Sequence, residues 1–272
     1  LAAAPRRGMS RKRKAPPRQP AKPPAGDTRD PIPRQPWLDA LRGAAVLAMI
    51  AYHFGYDLNF LGWLHQDLNH DLRWMTARSL ILGSFLFSVG ASHALAQAQG
   101  ASARTRGRRI GKIAGAAILV TAGSALLFPQ SAIWFGTLHA IATMSLLLLL
   151  LERLRLAASA VILLGAALLA IGNLAAHPAF NHPALAWIGL MTYAPFTEDY
   201  VPLLPWFGVC LIGYGAMRLY LRRGPARRSA PPGDKLPHWL RWTGRHSLAI
   251  YLLHQPVLLG ILMPLTHWLK AA

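Results

Sequence analysis

This chain of 272 residues is poor in acid, in cysteine and in charge of either sign. Ten Asp and Glu stand against 29 Lys and Arg, and charged residues make up 14% of the sequence, whereas a soluble domain carries roughly 25%. The single cysteine, Cys210, excludes an intrachain disulfide and any cysteine-based zinc cluster, and its apolar setting reads as a small buried hydrophobe. Period-two alternation of apolar and polar residues is missing, which argues against a membrane β-barrel. No self-similar unit of roughly 20–50 residues recurs, so a repeat architecture is excluded as well.

What the chain has instead is apolar length. Hydrophobic residues make up 53% of it and the mean hydropathy is +0.29. Runs of about 20 apolar residues recur along most of the sequence, each long enough to cross a bilayer as a helix. The expected fold is all-α: a polytopic membrane helix bundle of about seven spans, near 38–58, 75–97, 110–128, 132–151, 156–176, 202–221 and 246–268. Small residues at Gly111 and Gly115, and the face of Ser84, Ser88 and Ala91, mark places for close helix packing.

The basic residues set an orientation. With the N-terminus inside, the inner segments 1–42, 104–112, 153–155 and 218–245 hold 11, 5, 2 and 8 Lys/Arg, leaving only Arg73, Arg78 and Lys270 outside. That alternation predicts an N-in, C-out protein of the cytoplasmic (inner) membrane. The formal charge of +19 is then a charge that faces anionic lipid, and no nucleic-acid partner is expected. Residues 1–36, Pro-rich and basic, read as a disordered cytoplasmic tail whose RKRK run tethers to lipid, and 37–269 as the membrane domain. The outer loop 177–201 has no Lys or Arg and is longer than a turn needs, so a short interfacial helix is expected in it. Trp63, Trp74, Trp134, Trp187, Trp206 and Trp268 fall near the outer interface, as an aromatic belt does.

Ionisable side chains inside hydrocarbon are costly, so those within spans are candidates for chemistry. The stretch Trp37–Trp63 holds several. His53 and Asp57, four apart, share a helix face, and a carboxylate beside an imidazole is the arrangement of a general base; a structural histidine bonded to a neighbouring helix is the competing reading. Tyr56 flanks this pair. In the last span Ser247, Tyr251 and His254 fall at i, i+4 and i+7, a polar stripe suited either to a cavity wall or to interhelical hydrogen bonds, with a kink expected at Pro256. His139 is a further cavity candidate. Asp39 and Arg42, three apart, can pair. Arg42 is also placed to meet an anion at the inner face, as are Arg104, Arg106, Arg108 and Arg109, although the positive-inside rule explains that cluster without a ligand. Eleven histidines raise the question of zinc, but no HxxxH pair singles out His65, His70, His177 or His182, and no metal is expected.

The blocks LDALRGAAVLAMIAYHFGYDL, FLFSVGASHALA, FGTLHAIATMSLL, DYVPLLPWFGVCLIG and GRHSLAIYLLHQPVLL resemble, in order, those of the heparan-α-glucosaminide N-acetyltransferase catalytic-domain family, in its bacterial branch. The resemblance covers most of Leu38–His267. It implies a membrane acyltransferase that takes acetyl-CoA at the cytoplasmic face and acetylates a sugar or glycan at the outer face, through a histidine near that side. In the family's lysosomal member the proposed catalytic histidine lies in the loop after the first span, whose nearest counterpart here is Asn69-His70. His70 is therefore a second candidate base beside His53 with Asp57. Two rivals from other classes are a proton-coupled transporter built on the His/Asp pair and a noncatalytic scaffold subunit. Seven spans do not divide into two inverted halves, which weighs against the transporter.

Overall fold

The structure, a computed structural model, describes residues 32–68, 70–223 and 235–271. The expected basic tail lies outside the described residues up to position 31, as does Asn69. Among the described residues the chain is helical and holds no strand. Helices α1 (Pro36–Phe60), α2 (Leu72–Ala98), α3 (Ala103–Leu127), α4 (Thr137–Leu151), α5 (Ala158–Leu174) and α6 (Leu203–Arg222) are followed by a short α7 (His238–Arg245) and by α8 (Ser247–Ala271). Seven of these stand on the seven expected spans. Five segments, in α2, α3, α4 with the turn after it, α6 and α8, are long and apolar enough to cross a membrane, and α5 is a shorter apolar helix. In α1 the polar ends around Asp39, Arg42, His53 and Asp57 hold its hydropathy below theirs. The architecture is that of an all-α membrane bundle.

Three local features depart from the sequence reading. Helix α3 starts seven residues before the expected position 110, because Ser102 Oγ accepts the Thr105 amide at 3.1 Å and caps it there. The arginines at 104–109 are consequently helical, not loop, residues. Helix α7 was not expected at all; eight residues are too few for a span. Helix α8 runs on as one helix through Pro256, the position of the expected kink, and through a second proline, Pro264, that the sequence reading did not single out.

The core is built around α6, which packs on α2 and α5. Leu86, Met144, Leu148, Leu211, Tyr214 and Met217 form its buried centre. The close approach of α2 to α6 depends on glycine: a methyl carbon on Gly90 would sit 2.8 Å from the Tyr214 nitrogen, and one on Gly213 would sit 2.9 Å from the Phe87 carbonyl carbon. Small residues at helix seams permit such backbone contact in lipid, where packing rather than hydrophobic exclusion drives association. Ser88 and Ala91 lie fully buried on the same seam. Gly111 and Gly115, by contrast, face open space with nothing within 4 Å, so the seam expected there is not formed.

The expected interfacial helix in 177–201 is two short 3-10 turns, Pro178–Asn181 and Pro183–Ile188. Beyond them the chain turns inward and lies along the residues before α4. Thr197 Oγ1 donates to Ala132 O at 2.8 Å, the Glu198 amide to Ser131 O at 3.0 Å, and the Val201 amide to Phe135 O at 3.1 Å. This lacing delivers Asp199 to the N-terminus of α4.

Candidate active site

At one end of the bundle, four cationic side chains gather on a single buried carboxylate. Asp39, in the first turn of α1, accepts from Arg34 Nε at 2.7 Å, Arg42 Nη2 at 2.6 Å and Arg245 Nε at 3.3 Å. Arg109 of α3 is close enough for its charge to act on Arg42 and to feel Asp39. One acid faces four arginines, so the cluster keeps an excess of positive charge and of N–H groups. The i, i+3 pairing of Asp39 with Arg42 is the one the spacing predicts. Arg34 and Arg245 join through tertiary structure: α7 folds across the first half of α1, and Gly43 and Gly244 meet backbone to backbone.

The expected phosphate role of the α3 arginines divides. Arg106 turns into the bundle and pairs with Glu152, whose Oε1 also lies 2.7 Å from His93 Nε2. That side chain is committed to an internal ion network, which corrects its assignment to an anionic ligand. Arg104 and Arg108 are exposed on the face of α3 that turns away. Of the four, Arg109 alone shares the Asp39 cluster. A cavity of about 130 Å³ beside the Glu152 network is lined by Gln97, Arg155, Tyr214 and Arg218.

At the opposite end, α1 and α8 lie side by side and bring two histidines together. The rings of His53 and His254 are 4.9 Å apart, tilted by 59°. Tyr52 and Tyr56 contact His53 edge-on. Asp57 does not orient His53, as its spacing suggested; its Oδ1 accepts from Gln255 Nε2 at 2.8 Å. The i+4 relation placed the two on one face of α1, but the side chain that reaches the carboxylate comes from α8.

Asp199 belongs to this end and was not singled out from the sequence. Its Oδ2 accepts the Thr137 amide at 2.7 Å and the Tyr251 hydroxyl at 3.2 Å, and its Oδ1 accepts Thr137 Oγ1 at 3.2 Å. A carboxylate from a distant loop thus caps α4, where the helix dipole favours negative charge. Burial pushes the Asp199 carboxyl above the usual carboxylate range, against the pull of these hydrogen bonds. Gly136 leaves the space, since a methyl group there would run into the Asp199 carboxylate. The only sequence signal was an acid in a loop free of Lys and Arg; its partners are remote in the chain.

The remaining candidates scatter. His139 holds structure with both ring nitrogens, taking the Gly136 amide at 3.3 Å on Nδ1 and meeting Thr121 Oγ1 at 3.1 Å through Nε2. Ser247 begins α8 at the arginine-rich end, about 10 Å along the axis from His254, so the stripe does not form one wall. His70 is 85% exposed and paired with Asp67 at 3.0 Å, with no contact to His53 or His254 among the described residues. Among the described residues no group of three or more His, Cys, Asp or Glu is placed to hold a metal. A groove of about 220 Å³ opens next to Tyr56, lined by Asn59, Phe60, Gln66, Asp67 and Leu68.

The bundle thus carries a cationic cluster at one end and a histidine pair at the other. No curated protein and no solved structure matches the chain. A family model, described as heparan-alpha-glucosaminide N-acetyltransferase, catalytic, matches residues 34–256, from the arginine that binds Asp39 to the proline after His254 and Gln255. The match takes in both ends of the site, and the chain belongs to that family of membrane acyltransferases.

Proposed function

We propose that the protein transfers an acetyl group from acetyl-CoA, bound at the cytoplasmic face, to a sugar or glycan acceptor at the outer face. The observation that carries the reading is the division of labour along α1. Arg42 stands in the cationic cluster, and His53 meets His254 about 16 Å further along the same helix. Arg42, Arg109, Arg34 and Arg245 would take the anionic phosphates of the acyl donor, since guanidinium groups match phosphate oxygens in geometry and charge. The groove beside Tyr56 supports a sugar acceptor: aromatic faces at Tyr56 and Phe60 suit the apolar side of a pyranose, and Asn59, Gln66 and Asp67 suit its hydroxyls. The charge alternation along the chain supports placing the arginine cluster inside and the groove outside.

The test is acetyl transfer by purified protein in liposomes, with labelled acetyl-CoA on the arginine side and glucosamine or a glycan on the other. Expected are CoA release coupled to acetylated sugar, and weaker acetyl-CoA binding in Arg42→Ala. Sugar flux without CoA release would overturn the reading in favour of a transporter.

A further inference from the structure

We propose that His254, rather than His53, takes the proton from the acyl acceptor, and that Asp57 and Gln255 steady that acceptor beside it. The proposal rests on the acyl-transfer reading and deepens it.

Nδ1 of His254 lies 2.6 Å from the carbonyl oxygen of Tyr251. A carbonyl has no proton to give, so the ring nitrogen facing it carries one, and in the neutral ring the lone pair is on Nε2. The backbone holds the tautomer as well as the ring's direction. Nε2 is buried and has no hydrogen-bond partner. His254 itself is 9% exposed and Asp57 only 2%. His53 is held differently: its neighbours are rings, those of Tyr52, Tyr56 and His254, and among the described residues no hydrogen bond fixes which of its nitrogens is basic.

Two more buried atoms on the α1–α8 seam share the condition of His254 Nε2. Asp57 Oδ2 and Gln255 Oε1 are without partners, because the Gln255 amide group donates to the other oxygen of Asp57. All three orphans accept hydrogen bonds and none donates. Buried polar groups are nearly always matched, so three unmatched acceptors within one turn of α8 and its neighbour describe a place completed by a group rich in N–H or O–H. A sugar hydroxyl or amine is such a group; phosphate or thioester is not.

The step then balances. The acceptor's hydroxyl or neutral amine gives its proton to His254 Nε2 as its oxygen or nitrogen bonds to the thioester carbonyl carbon. The carbon–sulfur bond breaks with its electron pair on sulfur, and the proton on the imidazolium returns to that thiolate, leaving acetylated acceptor and free CoA.

Two measurements on the full-length protein in liposomes test this. In the first, nitrogen NMR of histidine-labelled protein, with His254 assigned by its absence in His254→Gln, reports the ring's protonation. A proton on Nδ1 and a bare Nε2 that shifts on addition of glucosamine support the proposal; a ring protonated on Nε2 overturns it. In the second, acetyl transfer from acetyl-CoA to glucosamine is followed against pH. His254→Gln is expected to lose roughly 10²–10⁴-fold in rate together with the rising limb of the profile, and imidazole added to His254→Ala is expected to restore part of it. His53→Gln is expected to lose less than about ten-fold and to keep that limb. Asp57→Asn is expected to raise KM for the sugar more than it lowers kcat. Full transfer by His254→Gln would sink the assignment. A wild-type protein silent toward acetyl-CoA would count against acyl transfer itself, while the NMR result would still decide the ring.

Discussion

Replacing Gly90 by alanine tests the packing of the bundle's centre without reference to chemistry. The new methyl carbon would run into the Cys210 carbonyl oxygen and lie 2.8 Å from the Tyr214 nitrogen and 2.9 Å from the Cys210 carbonyl carbon, all backbone atoms of α6. Favourable contact between such atoms begins near 3.5 Å, so α2 and α6 must part by more than about 1 Å, and contacts along the seam lose about half or more of their dispersion energy. Overpacking of this kind costs about 1–3 kcal/mol, here about 3 because the atom met is backbone, offset by up to about 1 kcal/mol from alanine's better helix propensity. The expected net loss is about 2 kcal/mol for Gly90→Ala, and the same for Gly213→Ala across the seam. The double variant should lose less than the sum, because helices already parted make room for the second methyl. Unfolding of the purified protein in mixed micelles, followed by loss of helix signal against denaturing detergent, measures all three. Gly111→Ala and Gly115→Ala are the controls: nothing lies within 4 Å of either, so they should be neutral or slightly stabilising. Equal losses at Gly90 and Gly111 would refute the reasoning.

Asp39→Ala should destabilise by about 3 kcal/mol in the same assay, because Arg42, 16% exposed, is left without its counter-charge; the more exposed Arg34 and Arg245 add little. Asp199→Ala removes the cap of α4 and should cost about 1–2 kcal/mol, and limited proteolysis should show faster cleavage around residues 190–200. Tyr251→Phe, which loses the hydroxyl's bonds to Asp199 and Thr137, should cost about 1 kcal/mol. His70→Ala should leave acetyl transfer within about two-fold of wild type, since its ring is in water; its pairing with Asp67 is an exposed one worth little.

The spans were legible because hydrocarbon length is a local property: twenty apolar residues make a helix wherever they fall. The Asp39–Arg42 pair was legible for the same reason, three residues apart on one helix. What failed did so through partners distant in sequence. Asp57 looked like the partner of His53 until α8 supplied Gln255. Arg106 looked like one of a row of loop arginines, but a serine cap extended α3 over it and turned it toward Glu152. Asp199 gave no signal beyond its charge, since Thr137 and Tyr251 come from two other parts of the chain. Gly111-xxx-Gly115 has the spacing of a packing motif and packs on nothing, while Gly90 and Gly213, in no motif, hold the centre.

Helix α8 is mostly exposed; Leu248, Ile250, Tyr251 and Leu252 pack its first turns onto the core, and beyond them polar bonds tie it to its neighbours. Tyr251 bonds Asp199, Gln255 bonds Asp57, Trp63 Nε1 donates to Thr266 at 2.9 Å, and Lys270 Nζ donates to Leu61 O at 3.2 Å. Interhelical hydrogen bonds in membranes average about 0.6 kcal/mol, so four amount to roughly 2 kcal/mol. Such an attachment is strong only while dry. Water, or a sugar carrying its own hydroxyls, competes for the same oxygens, and each bond it takes loosens α8 from α1. The second half of the helix that closes the histidine pair is thus held by bonds that solvent can take, and amide exchange there should quicken on adding sugar while α6 stays protected.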